Sequence, residues 1–441
     1  MKKKVLSFLL ACAITVTGVP GVGPALKAEA KDKEGSVLNI YSWNEEFKNV
    51  VEKNYPGYEA VDYNSGRIGD VTVNWNIIST YTDDYRTNLD MKLAGQSGAS
   101  VDDRIDMFLI EPDYAQDYLD TDYVLPVDKL GIKKNDMKDQ FKYTKTLGSD
   151  SKGVLKALTW QCCPGTMIYN REIARKVLGT DDPKKVQKYV SSWDKYNETA
   201  VKMAKKGYMM TATAEDSFRV YFNNTKAPWV KKNKIKIDKN VEKWAKDSKK
   251  LIDKGATTSG GMWFDQWTEG FYGNVFCYFG PKWFVDWCMY ESESNSVAYN
   301  GGWAVTEGPQ NFFWGSSFIC AAKGTDNPTL VGNIMKTLTC DKKVMKNIAE
   351  NNGDFVNNQK SMAEISSEGY KSNVLGGQDP MPYYIKCAKK LKAQRSASVD
   401  TDCWMHYSMM MRDYFADYAS YDQALNSFYS IMKDLYPELR Q

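Results

Sequence analysis

The stretch that decides the fold is Ser36-Val37-Leu38-Asn39-Ile40-Tyr41, an apolar strand signal that leads through a turn at residues 42–44 into an amphipathic helix near residues 45–54. A second strand is predicted at residues 71–77 (VTVNWNI), a helix at 81–93 and a third strand at 105–110 (IDMFLI). Parallel strands need such crossover helices between them. The sequence therefore predicts an α/β fold with a parallel sheet.

Polar and aromatic residues follow two of these strands directly. Trp43, Asn44 and Glu45 come after the first strand, and Glu111 and Asp113 come after the third. In a parallel α/β sheet, ligands bind at the carboxyl ends of the strands. We expect these five residues to line a binding site, with a solvated or capping role as the alternative for the carboxylates.

The segment 263–314 is unusually aromatic. It holds eleven Phe or Tyr residues and six tryptophans, namely Trp263, Trp267, Trp283, Trp287, Trp303 and Trp314. Tryptophan offers a flat apolar face, which suits the C–H patches of a pyranose ring, and an N–H that needs a partner. Neighbouring carboxylates and amides can bind sugar hydroxyls. The segment predicts a site for sugar rings, and an aromatic-rich core is the alternative.

Residues 1–30 are predicted to be a secretory signal peptide. Three lysines precede an apolar run over residues 5–16, which is followed by glycines and prolines and by Ala28-Glu29-Ala30. The run Leu9-Leu10-Ala11-Cys12 also resembles a lipobox, so lipid anchoring through Cys12 stays open beside cleavage after Ala30. Either reading places the mature chain on the extracytoplasmic face of a bacterial envelope.

The charge of the mature chain argues against nucleic-acid binding. The leader contains four lysines and one glutamate, so its removal leaves 54 basic and 54 acidic residues. A neutral chain lacks the long-range field that attracts nucleic acid. Lysine-rich runs such as Lys231-Lys232-Asn233-Lys234 are interpreted as solvated faces.

Length predicts two lobes, because roughly 400 residues exceed what one hydrophobic core usually supports. The eight cysteines beyond the leader permit disulfides in an exported protein. Several lie in apolar runs, so we interpret most as buried small side chains. They are Cys162, Cys163, Cys277, Cys288, Cys320, Cys340, Cys387 and Cys403.

Several segments, in this order and spacing, resemble the extracellular solute-binding proteins of bacterial ABC-type sugar importers, the maltose-binding-protein-like family. They are residues 38–44 (LNIYSWN), 106–111 (DMFLIE), 167–172 (MIYNRE), 279–283 (FGPKW), 303–309 (WAVTEGP), 313–315 (FWG) and 321–323 (AAK). The adjacent Cys162-Cys163 and the off-centre lipobox depart from the family pattern.

The resemblance implies a type II periplasmic-binding-protein-like fold with two discontinuous lobes and hinge closure over the ligand. Three crossings are expected near residues 155–161, 303–309 and 353–358. Lobe one would comprise residues 35–154 with 310–354, and lobe two residues 155–309 with 355–441. The implied partners are a carbohydrate and the membrane permease subunits of an importer, with no cofactor, and the chain is expected to be a monomer.

Further ligand contacts are expected mainly on lobe two, facing Trp43, Glu111 and Asp113 across the cleft. They are Trp160, Asp216, Trp263, Asp265, Trp267, Trp283, Trp303, Trp314 and Gly315. For Asp216 and Asp265 a capping or solvated role is the alternative.

Two other functions remain open. A secreted glycoside hydrolase also combines carboxylates with aromatic residues, and a non-transport carbohydrate-binding surface protein would share the tryptophans. Other catalysis has little support, because His406 is the sole histidine and no zinc site with two histidines can be built. The sequence thus predicts binding without bond-making.

Overall fold

The computed structural model describes residues 34–80, 84–289 and 291–440. The predicted leader and Cys12 lie outside them. The strands are β1 Val37–Ser42, β2 Tyr58–Ala60, β3 Ser65–Ile68, β4 Val71–Ile77, β5 Met107–Ile110, β6 Ala157–Leu158, β7 Pro164–Asn170, β8 Val230–Lys231, β9 Lys234–Ile235, β10 Cys277–Gly280, β11 Trp303–Thr306, β12 Phe312–Phe313 and β13 Phe318–Ala321.

The helices begin with α1 Glu46–Asn54, α2 Asp84–Gly95, α3 Gln116–Leu119, α4 Lys142–Leu147, α5 Arg171–Leu178, α6 Pro183–Val190, α7 Trp193–Ala204, α8 Phe218–Phe222 and α9 Lys239–Ile252. They continue with α10 Asp265–Thr268, α11 Lys282–Cys288, α12 Pro328–Cys340, α13 Lys342–Asn352, α14 Gln359–Ser367, α15 Met381–Lys390, α16 Ser398–Phe415 and α17 Tyr421–Leu435. In the described part of the chain, no helix combines the length and the apolar character needed to cross a membrane.

The first sheet contains the strands that the sequence predicted. Its order is β2-β3-β4-β1-β5-β13-β6, and β1 pairs in parallel with both β4 and β5. The prediction of a parallel sheet is correct only for this centre. The β2–β3 hairpin is antiparallel, and β13 enters antiparallel because the chain returns to this sheet from the second one.

The second sheet is antiparallel, with β7 between β10 and β11 and with β12 also paired to β7. Both faces of this sheet are buried. Successive side chains along a strand point to opposite faces, and here they enter two different hydrophobic clusters. Ala304 faces one hydrophobic cluster, whereas Trp303 and Val305 face another. We call the cluster on the first sheet the first core, that around Ala304 the second core, and that around Trp303 the third core.

The chain passes between the two sheets at residues 159–163, where Trp160 and Gln161 are buried. The segment 355–357 runs beside this passage: Cys162 N donates to Phe355 O over 2.7 Å, and Asn357 N donates to Trp160 O over 2.7 Å. The passage at residues 159–163 is thus held in place by backbone hydrogen bonds to the neighbouring extended segment 355–357.

Two passages differ from the predicted positions. Residues 303–306 form β11 inside the second sheet, and the chain returns to the first sheet later, at residues 314–317. Helices α14 and α15 contribute Met362 and Tyr384 to the first core, so the final passage into the second core follows α15. Helix α15 also packs against β7 of the second sheet, and Val374 and Leu375 between the two helices lie in the third core, so the assignment of this segment to lobe two stays a prediction.

All eight described cysteines are free thiols, and six of them are buried. Burial raises the pKa of Cys387 to about 12, so this thiol stays protonated and behaves as a small apolar side chain.

Candidate functional site

A cavity of about 230 Å³ opens beside the tryptophans of the aromatic segment. Its walls come from α8, the loop before α10, the segment after β12 and the outer face of α16. Five of its thirteen lining residues are aromatic and three are methionines; the aromatic ones are Phe218, Phe222, Trp263, Trp314 and Trp404. We call this cavity, together with its charged residues Glu215, Arg219 and Arg412, the aromatic pocket.

Three of the predicted tryptophans meet at this pocket although they lie far apart in the sequence. The ring of Trp314 lies 5.8 Å from that of Trp263 and 5.2 Å from that of Trp283, edge to face in both cases. Trp283 also donates its Nε1–H to the carbonyl of Trp314 over 3.1 Å. Trp283 therefore supports Trp314 from behind, and Trp263 and Trp314 present their surfaces to the cavity.

Local backbone geometry presents these rings. Trp263 has φ +70° and is 55% exposed, a rare combination for a large residue. Gly315, with φ +86°, turns the chain immediately after Trp314. A left-handed residue at an exposed aromatic side chain is held there by its surroundings, and such positions cluster at binding sites.

Arg219 of α8 forms the strongest polar contact at the pocket. Its two terminal nitrogens each lie 3.0 Å from one oxygen of Asp113, a bidentate ion pair that joins the loop after β5 to α8. Its guanidinium also lies over the rings of Trp404 (5.0 Å) and Trp314 (5.5 Å). This geometry is favourable for arginine because its planar group can stack and pair at once. Arg219 thus connects the first sheet side to the aromatic pocket.

A second ion pair borders the cavity. Arg412 Nε donates to Glu215 Oε1 over 2.6 Å, and Glu215 Oε2 accepts the backbone N–H of Met262 over 3.1 Å. Gly261 makes room for this arrangement, since a Cβ there would lie 2.5 Å from an Arg412 nitrogen. The pair leaves polar edges beside the tryptophans, as a ring with hydroxyl groups requires.

Three carboxyl groups lie close together where the halves of the molecule meet. Glu46 accepts from Gln161 Nε2 over 3.1 Å and from Ser317 Oγ over 3.3 Å, and Asp354 accepts from Trp160 Nε1 over 3.1 Å. Glu111 is the third, and its pKa is raised to about 7 by burial, with a further rise from Asp113.

Burial also raises the pKa of Asp354 to about 8, and Glu46 adds to that rise through its negative charge. Burial of Glu46 itself raises its pKa. Burial raises the pKa of the Cys163 thiol, and the negative charges of all three carboxyl groups raise it further. Cys163 O accepts the N–H of Trp314 over 3.0 Å. The carboxyl groups and the aromatic pocket are therefore adjacent.

Three predicted tryptophans lie in the interior instead of on a binding surface. Trp160 and Trp303 are fully buried, and Trp267 is 1% exposed. Trp160 stacks on Phe47 at 5.3 Å, and Trp303 packs edge-on against Tyr278. We correct these assignments to core positions, because a ring enclosed on both faces cannot cover a sugar.

Asp216 has the capping role that the sequence left open. It accepts the backbone N–H of Thr213 over 2.8 Å and the indole N–H of Trp267 over 2.6 Å. Burial raises its pKa to about 7. The carboxyl group thus fixes the turn before α8, and with it the position of Arg219.

The remaining predicted residues lie outside the lining of the aromatic pocket. Trp43 is half-buried and packs edge-on against Tyr85 at 5.5 Å. Asn44 accepts the N–H of Glu46 over 3.0 Å, and Glu45 accepts from the Tyr63 hydroxyl. Asp265 is exposed in the first turn of α10.

Sequence reasoning missed Arg219, Glu215, Trp404 and Arg412, and also the carboxyl groups of Glu46 and Asp354. Trp404 and Arg412 lie on α16, whose aromatic and methionine residues were the only available signal for them. Within the described ranges, no three His, Cys, Asp or Glu side chains are grouped as metal ligands.

Comparisons with known proteins agree with this arrangement. A sequence profile described as "Bacterial extracellular solute-binding protein" matches residues 61–375, more than two thirds of the chain. No curated protein matches it. A solved structure titled as an extracellular solute-binding protein of family 1 is 14% identical, with a TM-score of 0.77, over 91% of this chain and 99% of that one.

Two further structures share the fold at low identity. The galacto-N-biose-/lacto-N-biose I-binding protein of an ABC transporter from Bifidobacterium longum, solved with lacto-N-biose, is 13% identical with a TM-score of 0.67, over 93% of this chain and 100% of that one. The sugar-binding protein MalE from Xanthomonas citri is 13% identical with a TM-score of 0.66, over 90% and 96%. These likenesses confirm the predicted two-lobed α/β fold, and with the profile match they show that the chain belongs to the bacterial extracellular solute-binding proteins.

Proposed function

We propose that this protein captures an extracellular carbohydrate, an oligosaccharide, between its two lobes and delivers it to the membrane permease of an ABC-type importer. The observation that carries the proposal is the aromatic pocket, where Trp263, Trp314 and Trp404 line a cavity edged by two arginine–carboxylate pairs. The fold neighbours titled as complexes or carriers of sugars support the same ligand class.

The pocket matches the two kinds of surface on a pyranose. Tryptophan faces cover axial C–H groups, and each ring contact contributes on the scale of a buried aromatic side chain. Glu215 and Arg412 already hold each other, so a hydroxyl can share that pair without leaving a charge unsatisfied. Glu111, with its raised pKa, can accept or donate toward a hydroxyl near neutral pH.

Closure is proposed to depend on Asp113 and Arg219. The ion pair links the loop after β5 to α8, two elements that pack in different cores. A ligand shifts an open–closed equilibrium only through its differential affinity for the closed state. Because Arg219 also lies over Trp314 and Trp404, a sugar on these rings would stabilise the arrangement in which the pair is made.

The lobes are proposed to follow the two sheets. Lobe one would hold the first sheet and first core, and lobe two the second sheet with the second and third cores. On this division α14 belongs with lobe one, and α15, which contributes to the first core and also packs against β7, lies at the boundary between the lobes. Export through the signal sequence, with or without a lipid on Cys12, and a monomeric state without nucleic-acid binding complete the proposal.

Titration of the purified mature chain against neutral oligosaccharides tests the proposal, with tryptophan fluorescence and calorimetry as readouts. The Trp314→Ala variant should lose binding by about 1–3 kcal/mol. The matched control is Trp287→Ala, because Trp287 is 77% exposed and lies outside the pocket lining. Equal affinity in the Trp314 variant, or equal loss in both variants, would reject the pocket as the sugar site.

A secreted glycoside hydrolase remains the second candidate. The observation in its favour is the pair Glu111 and Asp354, whose raised pKa values would leave a protonated carboxyl group available near neutral pH. Binding without consumption of the sugar is the outcome we expect. Release of reducing ends well above background, abolished by Glu111→Gln, would establish the hydrolase instead.

A further inference from the structure

A concentrated patch of positive charge lies on the hairpin of β8 and β9. Residues 226–243 contain seven lysines and two acidic residues, in a chain whose predicted mature form is neutral as a whole. An open depression of about 810 Å³ is lined by Lys231, Lys232, Lys234, Lys236 and Arg440 alone. We call these five residues the basic hairpin surface.

The charges of this surface are uncompensated within the described chain. None of the five side chains forms an ion pair there, and all four lysines are exposed. By contrast, Lys243 on the neighbouring helix α9 is paired with Asp247 over 2.6 Å. A group of like charges without partners repels itself, so the patch gains most from an external polyanion.

The hairpin holds these lysines in fixed positions. Ile235 N donates to Arg440 O over 2.9 Å, and Arg440 N donates to Asn233 O over 2.8 Å, so the end of the chain braces the hairpin like a third strand. Lys236 N donates to the carbonyl of the buried Trp229 over 2.8 Å. Because the backbone of the hairpin is already held in place, little backbone conformational entropy is lost when its lysines contact a partner.

The turn of the hairpin carries a lysine although its backbone conformation is more favourable for glycine or asparagine. Lys232 and Asn233 both have positive φ, 54° and 57°, the geometry of a tight hairpin turn that Asn and Gly adopt most readily. Lysine at the first of these positions is less favourable than glycine. The tip of the hairpin therefore carries a cation where a neutral residue would fold at least as easily.

The residue types of the basic hairpin surface indicate a partner that carries many anionic groups. Lysine ammonium groups are strongly hydrated point charges, whereas one bound phosphate is usually held by bidentate arginine. The patch has four lysines to one arginine, and it is an open surface instead of an enclosed pocket. We propose that the basic hairpin surface is an electrostatic contact site for an anionic phospholipid bilayer, which would hold the loaded protein close to the membrane.

Co-sedimentation of the mature chain with phosphatidylglycerol-containing vesicles tests this proposal. Each lysine near such a surface contributes about fivefold to the partition coefficient. The variant Lys231→Gln/Lys232→Gln/Lys234→Gln should therefore bind about 100-fold more weakly than wild type. The matched control removes three exposed lysines of α6, Lys184→Gln/Lys185→Gln/Lys188→Gln, and should lose much less.

Salt and lipid composition supply further readouts. Raising NaCl from about 0.1 M to about 1 M shortens the screening length from about 10 Å to about 3 Å and should abolish binding, as should vesicles of phosphatidylcholine alone. Sugar affinity and unfolding midpoint should be unchanged in both variants, which separates this proposal from the sugar-binding function. Equal binding by both variants, or binding of a soluble polyphosphate without binding of vesicles, would overturn it.

Discussion

Breaking the ion pair between Asp113 and Arg219 should weaken sugar binding through loss of closure. The pair is bidentate at 3.0 Å, with Arg219 12% exposed and Asp113 26% exposed at the side chain. Fully exposed pairs contribute about 0–1 kcal/mol, and a simple Coulomb estimate at an effective dielectric of 20 gives an upper value of about 4 kcal/mol. We therefore expect a coupling of about 2 kcal/mol, or about 30-fold in affinity.

A double-mutant cycle isolates that coupling. Asp113→Asn and Arg219→Gln are made singly and together, and the dissociation constant of the best oligosaccharide is measured by calorimetry for all four proteins. The cycle removes the separate effect of losing the guanidinium over Trp314 and Trp404. Small-angle scattering should show that wild type contracts on binding and that the variants contract less at equal saturation.

Three results would contradict this reasoning. A coupling below about 0.5 kcal/mol would mean that the pair is solvent-screened and does not control closure. Loss of the folded state in either single variant, seen as a large fall of the unfolding midpoint, would mean that the pair belongs to the core. An unchanged radius of gyration with saturating sugar would reject closure altogether.

Three further predictions concern a buried tryptophan, a carboxyl group with a raised pKa and a glycine that faces Arg412. Trp267→Ala should lower the free energy of unfolding by about 3–5 kcal/mol in urea denaturation, because its ring is buried and its N–H binds Asp216; a loss below about 1 kcal/mol would contradict the core assignment. Burial raises the pKa of Glu111 from 4.5 to about 7, so the folded state binds the extra proton and the free energy of unfolding should fall as pH rises through that window. Glu111→Gln should remove this contribution, and an identical pH profile would refute it. Gly261→Ala places a Cβ 2.5 Å from an Arg412 nitrogen, so it should weaken sugar binding several-fold with little effect on the unfolding midpoint, and unchanged affinity would show that Arg412 adapts freely.

Much of the first sheet could be predicted from local pattern. The strands at 37–42, 71–77 and 107–110 and the helix at 46–54 follow the predicted bounds within two residues. The strand signals of β1 and β5 are strong because both faces of the sheet centre are buried there, which gives nearly continuous apolar runs. The β2–β3 hairpin was missed, since its short strands contain glycine, glutamate and arginine and lack that pattern.

The role of the predicted site residues in binding stays a prediction, but several of them lie together. Trp263 and Trp283 contact Trp314, and Arg219 lies over Trp314 and pairs with Asp113. Trp160, Trp267 and Trp303 looked the same in the sequence, yet they lie in cores. A tryptophan has the same composition signal in both places, and only the neighbours that fold around it decide whether its face is open.

The sequence by itself determined the fold class and the aromatic character of residues 263–314, because these depend on periodicity and composition, which are local or additive. The tertiary structure decided which side chains share the pocket. Arg219 meets Asp113 across more than one hundred residues, and Arg412 meets Glu215 across nearly two hundred. Such contacts depend on how sheets and helices pack, so no local pattern encodes them, and the pocket exists only where α8, α16 and the turn after Trp314 come together.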